Sequence, residues 1–198
     1  MKKTILFTCT IVILLGSCSS PVTLEHYSLE FLEPSSSVKS STDDSIGIEG
    51  FSSVKALERN EVVLRSKQTN QISFSSDNFW WALPKNMVDE TFQNYLETQN
   101  IFRYVLHYPA LQKIKYLIQG KVHRFEIEQS AEEWQAVIAV QIYLVDANTL
   151  QILWRSGIIE SKTSSLTNMN DAAKSMEKNL VKLYRVLIKD LKNFLKVS

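Results

Sequence analysis

The sequence predicts an α+β fold, in which a largely antiparallel sheet carries two helices packed on one face and the second helix is long and C-terminal. Segments with alternating apolar residues fill most of the chain between residues 22 and 161, whereas only two segments have the three-and-four spacing of an amphipathic helix. The resulting order, β-β-β-β-α-β-β-β-β-α, is typical of this class because strands follow one another directly.

The first element is a short apolar segment that ends at a cysteine. Lys2 and Lys3 precede the apolar residues 5–15, and a membrane-spanning helix would need roughly 20 such residues. A basic start and a short apolar run are typical of a secretory signal peptide. The letters LGSC at residues 15–18 resemble the bacterial lipobox, in which the cysteine is acylated and the chain is cut just before it. We therefore expect a lipoprotein signal peptide over residues 1–17; an ordinary signal peptide with a chance cysteine is the alternative.

Cys18 is thus the predicted lipidation site, and residues 18–21 form the lipidated N-terminus and tether. The chain has two cysteines, and the other, Cys9, lies within the predicted signal peptide. The mature chain therefore has no pair of thiols for a disulfide and no Cys/His cluster for a metal. Two or more acyl chains make a firm anchor, because each buried methylene contributes about 0.8 kcal/mol. Ser19 follows the cysteine where Asp retains enterobacterial-type lipoproteins in the inner membrane, so it favours the outer membrane, facing the periplasm.

Composition indicates one folded domain over residues 22–198. The 22 Lys and Arg residues nearly balance the 21 Asp and Glu residues, which argues against nucleic acid as a partner. The segment EPSSSVKSSTDDS, residues 33–45, has little to bury and is predicted to be a flexible serine-rich loop. It lies inside the domain, because the preceding segment VTLEHYSLEF alternates like a first strand.

The next elements are strands and one helix. The segment at 61–76 predicts a hairpin with its turn at residues 67–70, and the remaining strands before the middle of the chain are predicted at 45–51 and 101–108. Between the hairpin and the latter strand, a helix begins at Pro84, a favourable first-turn residue. Its apolar stripe comprises Val88, Phe92, Tyr95 and Leu96.

The second half of the chain predicts the centre of the sheet. In the strand at 115–128 the apolar phase slips by one residue, which predicts a β-bulge near His123 or Arg124. The strand at 134–146 is apolar on both faces and is therefore expected to be central. A turn at 146–149 leads into a strand at 150–161 that returns antiparallel to it.

The C-terminal helix is predicted from Asp171 to about Val197. Apolar residues recur along one face of this helix, and Tyr184, Ile188 and Leu195 widen that apolar stripe on one side. The opposite face carries lysines at 178, 182, 189 and 192. We expect the stripe to cover the sheet rather than to form a coiled coil. Its members are Ala173, Met176, Leu180, Leu183, Tyr184, Leu187, Ile188, Leu191, Phe194 and Leu195.

The sequence contains none of the common catalytic motifs. It has no G-x-S-x-G, H-E-x-x-H or phosphate-loop pattern. His26, His107 and His123 fall in three separate predicted strands, with no spacing that pairs them. We therefore expect no enzymatic activity, no cofactor and no metal site; an enzyme whose site is assembled from scattered residues is the alternative.

The order of these features resembles that of the ABC-type transport auxiliary lipoproteins, the PqiC family. A lipobox is followed by HYSLEF, VVLRSKQTNQISFSSDNFWWALP, YLIQGKVHRFE, VQIYLVDANTLQILW and a long terminal helix. The matching residues are Arg65, Trp81-Ala82, Gly120, Phe125-Glu126 and Asp146. The chain departs from the usual pattern in its serine-rich loop and its doubled tryptophan.

The resemblance implies a lipid-anchored periplasmic accessory subunit that docks or caps a transport complex. The implied partners are an MCE-domain protein and an ABC permease or related membrane subunit, which together move lipids or other hydrophobic molecules between the membranes. Self-association of this chain into a homo-oligomer is a further alternative. Two other functions stay as alternatives: a structural assembly lipoprotein for an outer-membrane protein, and a lipid-carrying binding protein.

Three consecutive aromatic residues, Phe79, Trp80 and Trp81, are the candidate contact site. Adjacent residues of an extended chain point in opposite directions, so one tryptophan is expected inside and the other outside. Trp81 belongs to the family's Trp-Ala pair, which implies the structural role. Trp80, with Phe79, is then expected to be exposed to a partner or a lipid.

Overall fold

The computed structural model describes residues 23–29, 40 and 42–197. Cys18, the lipobox, the tether and most of the serine-rich loop lie outside the described residues, so their predictions stay predictions. The elements in chain order are β1 (Glu25–Tyr27), β2 (Ser45–Ser53), a 3-10 turn (Lys55–Leu57), β3 (Glu61–Ser66), β4 (Ile72–Trp80), α1 (Pro84–Thr98), β5 (Tyr104–His107), β6 (Tyr116–Gln129), β7 (Trp134–Asp146), β8 (Ile152–Arg155), β9 (Ile159–Leu166) and α2 (Met169–Val197).

The described strands form one mixed sheet built around β6 and β7. These two long strands pair antiparallel along their whole length, from Tyr116 opposite Asp146 to Gln129 opposite Trp134. On the other side of β6, β2 pairs with its first half and β3 with its second half, both parallel. β7 in turn pairs antiparallel with β8 and β9, which confirms that β7 is central. β4 joins β3 as the predicted hairpin, and β1 and β5 add to β4 and β2 in parallel.

The predicted bulge is confirmed in β6. The pairing with β7 shifts between Val122 and Arg124, which leaves His123 as the extra residue. As a result Val122 and Phe125 both point toward the helices, although three positions separate them. Without the bulge the apolar residues in the second half of β6 would face away from the core.

Both helices pack on one face of the sheet and share one core. The predicted stripe of α1 and nearly all of the predicted stripe of α2 are buried there, with Phe194 and Leu195 half-buried at the end of α2. The helices also contact each other: the Tyr184 hydroxyl donates to the carbonyl oxygen of Val88 at 2.9 Å and is paired with the Thr91 hydroxyl at 2.8 Å. The α+β class and the long C-terminal helix are therefore confirmed.

The segment predicted as one return strand is two strands. Ser156 interrupts it, since its amide donates to the Ile142 carbonyl while its hydroxyl accepts from the Ile142 amide. After this break β9 continues to Leu166, and α2 begins at Met169, two residues before the predicted start. The apolar pattern does not predict the extension, because β9 turns polar side chains toward α2. Ser161 and Thr163 donate to the Asn179 side-chain oxygen at 3.0 and 2.8 Å.

Within the part of the chain that the structure describes, neither helix is long and apolar enough to cross a membrane.

Candidate functional site

The two adjacent tryptophans have the opposite arrangement to the one predicted. Trp80 is fully buried and packs edge-on against Phe125 at 4.9 Å and Tyr27 at 6.4 Å between ring centroids. Trp81 is 72% exposed. The reason is the pairing of β4 with β1, which sets Trp80 beside Tyr27 on the helix side of the sheet. The proposed exposure of Trp80 was therefore wrong, and Trp80 belongs to the core.

An aromatic patch, defined here as His26, Phe79 and Trp81, lies on the sheet face away from the helices. The His26 ring stacks on Phe79 with centroids 5.5 Å apart, and Trp81 meets His26 edge-on at 6.4 Å. Phe79 is half-buried and the other two rings are exposed. β1 and β4 hold the patch, because His26 is paired with Phe79 across the strands and the Trp81 amide donates to the Tyr27 carbonyl at 2.7 Å.

Of the predicted contact residues, Phe79 is thus retained and Trp80 is replaced by Trp81. Sequence reasoning missed His26 as a neighbour of Phe79, since 53 residues separate strands that meet only in the folded sheet. The alternation along β1 was the available signal, because it requires His26 and Tyr27 to face opposite sides of the sheet.

The same outward face carries a charged network. Arg65 forms a bidentate ion pair with Glu126, with Nε–Oε1 and Nη2–Oε2 distances of 2.7 and 3.0 Å. Arg124 also donates to Glu126, at 2.6 Å, and to Glu160, at 2.8 Å. Glu126 is only 3% exposed, which is tolerable because two guanidinium groups share it.

The network is completed by Glu128 and Lys162. Glu128 pairs with Arg124, and the Lys162 ammonium lies 3.1 Å from Glu160. Burial lowers the pKa of Arg124, but its hydrogen bonds to Glu128, Glu126 and Glu160 outweigh that effect and raise it. Burial raises the pKa of Glu160, but the hydrogen bonds from Arg124 and Lys162 outweigh that effect and hold it below its usual value. Three cations balance three carboxylates, so the network joins β3, β6 and β9 rather than presenting a net charge to a ligand.

The other residues that carry the sequence resemblance also have structural roles. A Cβ atom on Gly120 would lie 2.2 Å from the ring of Phe51, so glycine is needed for the ring to cover β6. Asp146 accepts from the amides of Asn148 and Thr149 at 2.9 and 2.8 Å, which closes the turn after β7. These amide hydrogen bonds lower the pKa of the Asp146 carboxyl.

Within residues 23–29, 40 and 42–197, no group of three or more His, Cys, Asp and Glu side chains is arranged to hold a metal ion. His26, His107 and His123 lie in β1, β5 and β6, three strands that do not pair with one another. A cleft of about 510 Å³ beside the β3–β4 turn is lined mainly by polar residues, including Ser66, Gln68, Gln71, Ser73 and Gln129.

Two edges of the sheet expose apolar side chains that the sequence reasoning did not single out. Leu150, Ile152 and Ile158 are exposed along β8 and its flanking turns. Tyr104, Tyr108 and Leu111 are exposed on β5 and the loop after it. Strand edges with apolar side chains are the positions at which another chain can add to a sheet.

Solved structures that share this fold include the following three. Protein XCC0632 from Xanthomonas campestris superposes with a TM-score of 0.71 at 13% identity, over 83% of this chain and 92% of that chain. An uncharacterized protein gives 0.66 at 12% identity, over 85% and 99% of the two chains. Protein CT253 from Chlamydia trachomatis gives 0.56 at 8% identity, over 79% and 100%. At these identities the likeness concerns the fold alone, and the search of curated proteins finds no match.

The family model described as "ABC-type transport auxiliary lipoprotein component" matches residues 27–187. This range begins in β1, includes every later strand and α1, and ends well inside α2. It contains Arg65, Gly120 and Glu126, whose contacts hold the sheet together. Because the match spans most of the chain, the protein belongs to the family of ABC-type transport auxiliary lipoproteins.

Proposed function

We propose that this protein is a lipid-anchored periplasmic subunit that docks or caps an envelope transport complex. The observation that carries the proposal is the family match over nearly the whole folded domain. Its partners would be an MCE-domain protein and an ABC permease or related membrane subunit, and the cargo would be lipid or another hydrophobic molecule. Cys18 would carry the acyl chains, and Ser19 favours insertion in the outer membrane.

The exposed apolar edges support docking rather than cargo carriage. Leu150 and Ile152 at one edge, with Tyr104 and Leu111 at another, are contact surfaces of the kind that protein partners cover. The cleft beside the β3–β4 turn has mainly polar walls, which are poorly suited to acyl chains. We therefore favour docking over a lipid-carrying protein, with the β8 edge as the contact for the partner subunit.

Co-purification tests this function. The full chain is expressed in its native host with Cys18 intact, extracted in detergent and captured, and the associated proteins are identified by mass spectrometry. An ABC permease or MCE-domain protein is expected. Recovery of an outer-membrane barrel protein in their place would favour the assembly alternative, and stoichiometric co-purified lipid would favour the carrier.

A pair of variants tests the β8 contact. Ile152→Asp puts a charge on an exposed edge residue and is expected to reduce recovery of the partner several-fold. Ile72→Asp is the matched control, because Ile72 is also exposed but lies at the hairpin end of β4. Equal recovery with both variants would exclude the β8 edge as the contact, and loss of self-association with Ile152→Asp would assign it to a homo-oligomer.

A further inference from the structure

We propose that the aromatic patch of His26, Phe79 and Trp81 inserts into the interfacial layer of the membrane that holds the lipid anchor. The proposal rests on the lipidated Cys18 of the proposed function. It names a second membrane contact, made by the folded domain itself, that would orient the domain on the bilayer.

The length of the tether brings the patch to the membrane. Leu24, at the start of the described domain, is six residues after Cys18, a distance of at most roughly 20 Å even for a fully extended chain. A compact domain of this size is about 40 Å across. The tether is therefore shorter than the domain, and the surface around β1 must lie near the lipid. His26 is in β1, and Phe79 and Trp81 are beside it.

The chemistry of the patch suits the boundary between headgroups and acyl chains. A tryptophan combines a large apolar ring with one N–H donor, and such residues concentrate at membrane interfaces. Trp81 is 72% exposed, and Leu24, also exposed, adds apolar surface on the tether side. The stacked contact of His26 with Phe79 orders the rings before they meet the membrane, which reduces the entropy lost on insertion.

Charge indicates what kind of membrane contact this is. The charged residues next to the patch in sequence, Glu25 and Asp77, are acidic, and Glu61, which is paired with Phe79 across β3 and β4, forms an ion pair with Arg59 at 4.0 Å. Attraction to anionic headgroups therefore does not supply the binding, and the aromatic rings do. The contact is accordingly expected to persist when salt is raised, unlike that of a basic surface helix.

Depth-dependent fluorescence quenching tests the proposal. The full lipidated chain is reconstituted in vesicles of phosphatidylethanolamine and phosphatidylglycerol, with lipid brominated near the headgroup end of its acyl chains as the quencher. Tryptophan emission should be quenched, and Trp81→Phe should remove most of the quenchable emission. Trp154→Phe is the matched control and should leave quenching unchanged, because half-buried Trp154 packs against Phe194 on the helix side of β8.

The outcomes separate the patch from the anchor. If the protein sediments with the vesicles but its emission is not quenched, or is quenched equally in Trp81→Phe, the patch does not enter the membrane. If the protein does not sediment with the vesicles at all, the lipid anchor of the proposed function fails, and the membrane contact built on it fails with it. Quenching that disappears at high salt would overturn the aromatic origin of the contact.

Discussion

Trp80 and Trp81 are adjacent, but they are expected to respond oppositely to truncation. Trp80→Ala removes a fully buried ring from the core and should lower the free energy of unfolding by about 3–5 kcal/mol. Trp81→Ala removes an exposed ring and should change the free energy of unfolding by less than about 0.5 kcal/mol. Urea denaturation of the two variants checks this. Equal destabilisation would contradict the exposed position of Trp81.

Gly120 is expected to tolerate no side chain. Gly120→Ala would place a methyl group 2.2 Å from the Phe51 ring, which is itself held by Phe92 at 5.6 Å between centroids. The ring must move, so we expect a loss of about 1–3 kcal/mol in the free energy of unfolding. Gly157→Ala is the control, since a Cβ atom there meets nothing within 4 Å. A stable Gly120→Ala variant would show that Phe51 has another rotamer available.

At the scale of elements, α2 covers the sheet through the middle of its apolar stripe. Leu183 and Leu187 are both buried, as their spacing predicts. Leu187→Ala should lower the free energy of unfolding by about 2–5 kcal/mol, because it leaves a cavity between helix and sheet. Val186→Ala, on the exposed side of the same turn, should change it by less than about 0.5 kcal/mol. Thermal melts that do not distinguish these variants would contradict the docked face of α2.

The side chain of Asn179 links α2 to strands β7 and β9 through hydrogen bonds. Its side-chain amide donates to the Ala136 carbonyl at 3.0 Å, and its oxygen accepts from Ser161 and Thr163 of β9. Asn179→Ala leaves these groups without their partner and should cost about 1–3 kcal/mol, whereas Lys178→Ala on the exposed face should be nearly neutral. Hydrogen exchange should also accelerate in β9 of Asn179→Ala; unchanged protection there would indicate that β9 is held by β7 alone.

At the scale of the whole molecule, the charged network on the outward face of the sheet makes the free energy of unfolding depend on pH. The pKa of Glu160 is held below its usual value of 4.5 in the folded chain, so its ionised form favours folding. The stabilisation by ionised Glu160 is fully present when the pH is above the pKa that this carboxyl has in the unfolded chain. It is lost as the pH falls through the lower pKa that the carboxyl has in the folded chain. Glu160→Gln should therefore be less stable than wild type at pH 7, and the two should converge as the solution becomes more acidic.

Thermal melts across this pH range measure the convergence. Glu132→Gln is the control, because Glu132 is exposed in the turn between β6 and β7. It should track the wild type at every pH. A constant gap between wild type and Glu160→Gln from neutral to acidic pH would show that Glu160 contributes by packing rather than by its charge.

The features that depend only on neighbouring residues could be predicted from the amino-acid pattern alone. Residue periodicity predicted the helix at Pro84, the burial of Leu183 and Leu187, and the central position of β7. The one-residue slip in β6 predicted the bulge at His123, because side chains alternate strictly along a strand.

Which face of each strand is covered, and which distant residues meet, depends on how the strands and helices pack together. Because side chains alternate along an extended chain, Trp80 and Trp81 must point in opposite directions, but this alternation does not show which of them points toward the core. That depends on β1 and on where the helices pack. Likewise Arg65 and Glu126 are 61 residues apart, and only the parallel pairing of β3 with β6 brings them together. Local patterns specify elements, whereas faces and partners are set by contacts between segments far apart in the chain.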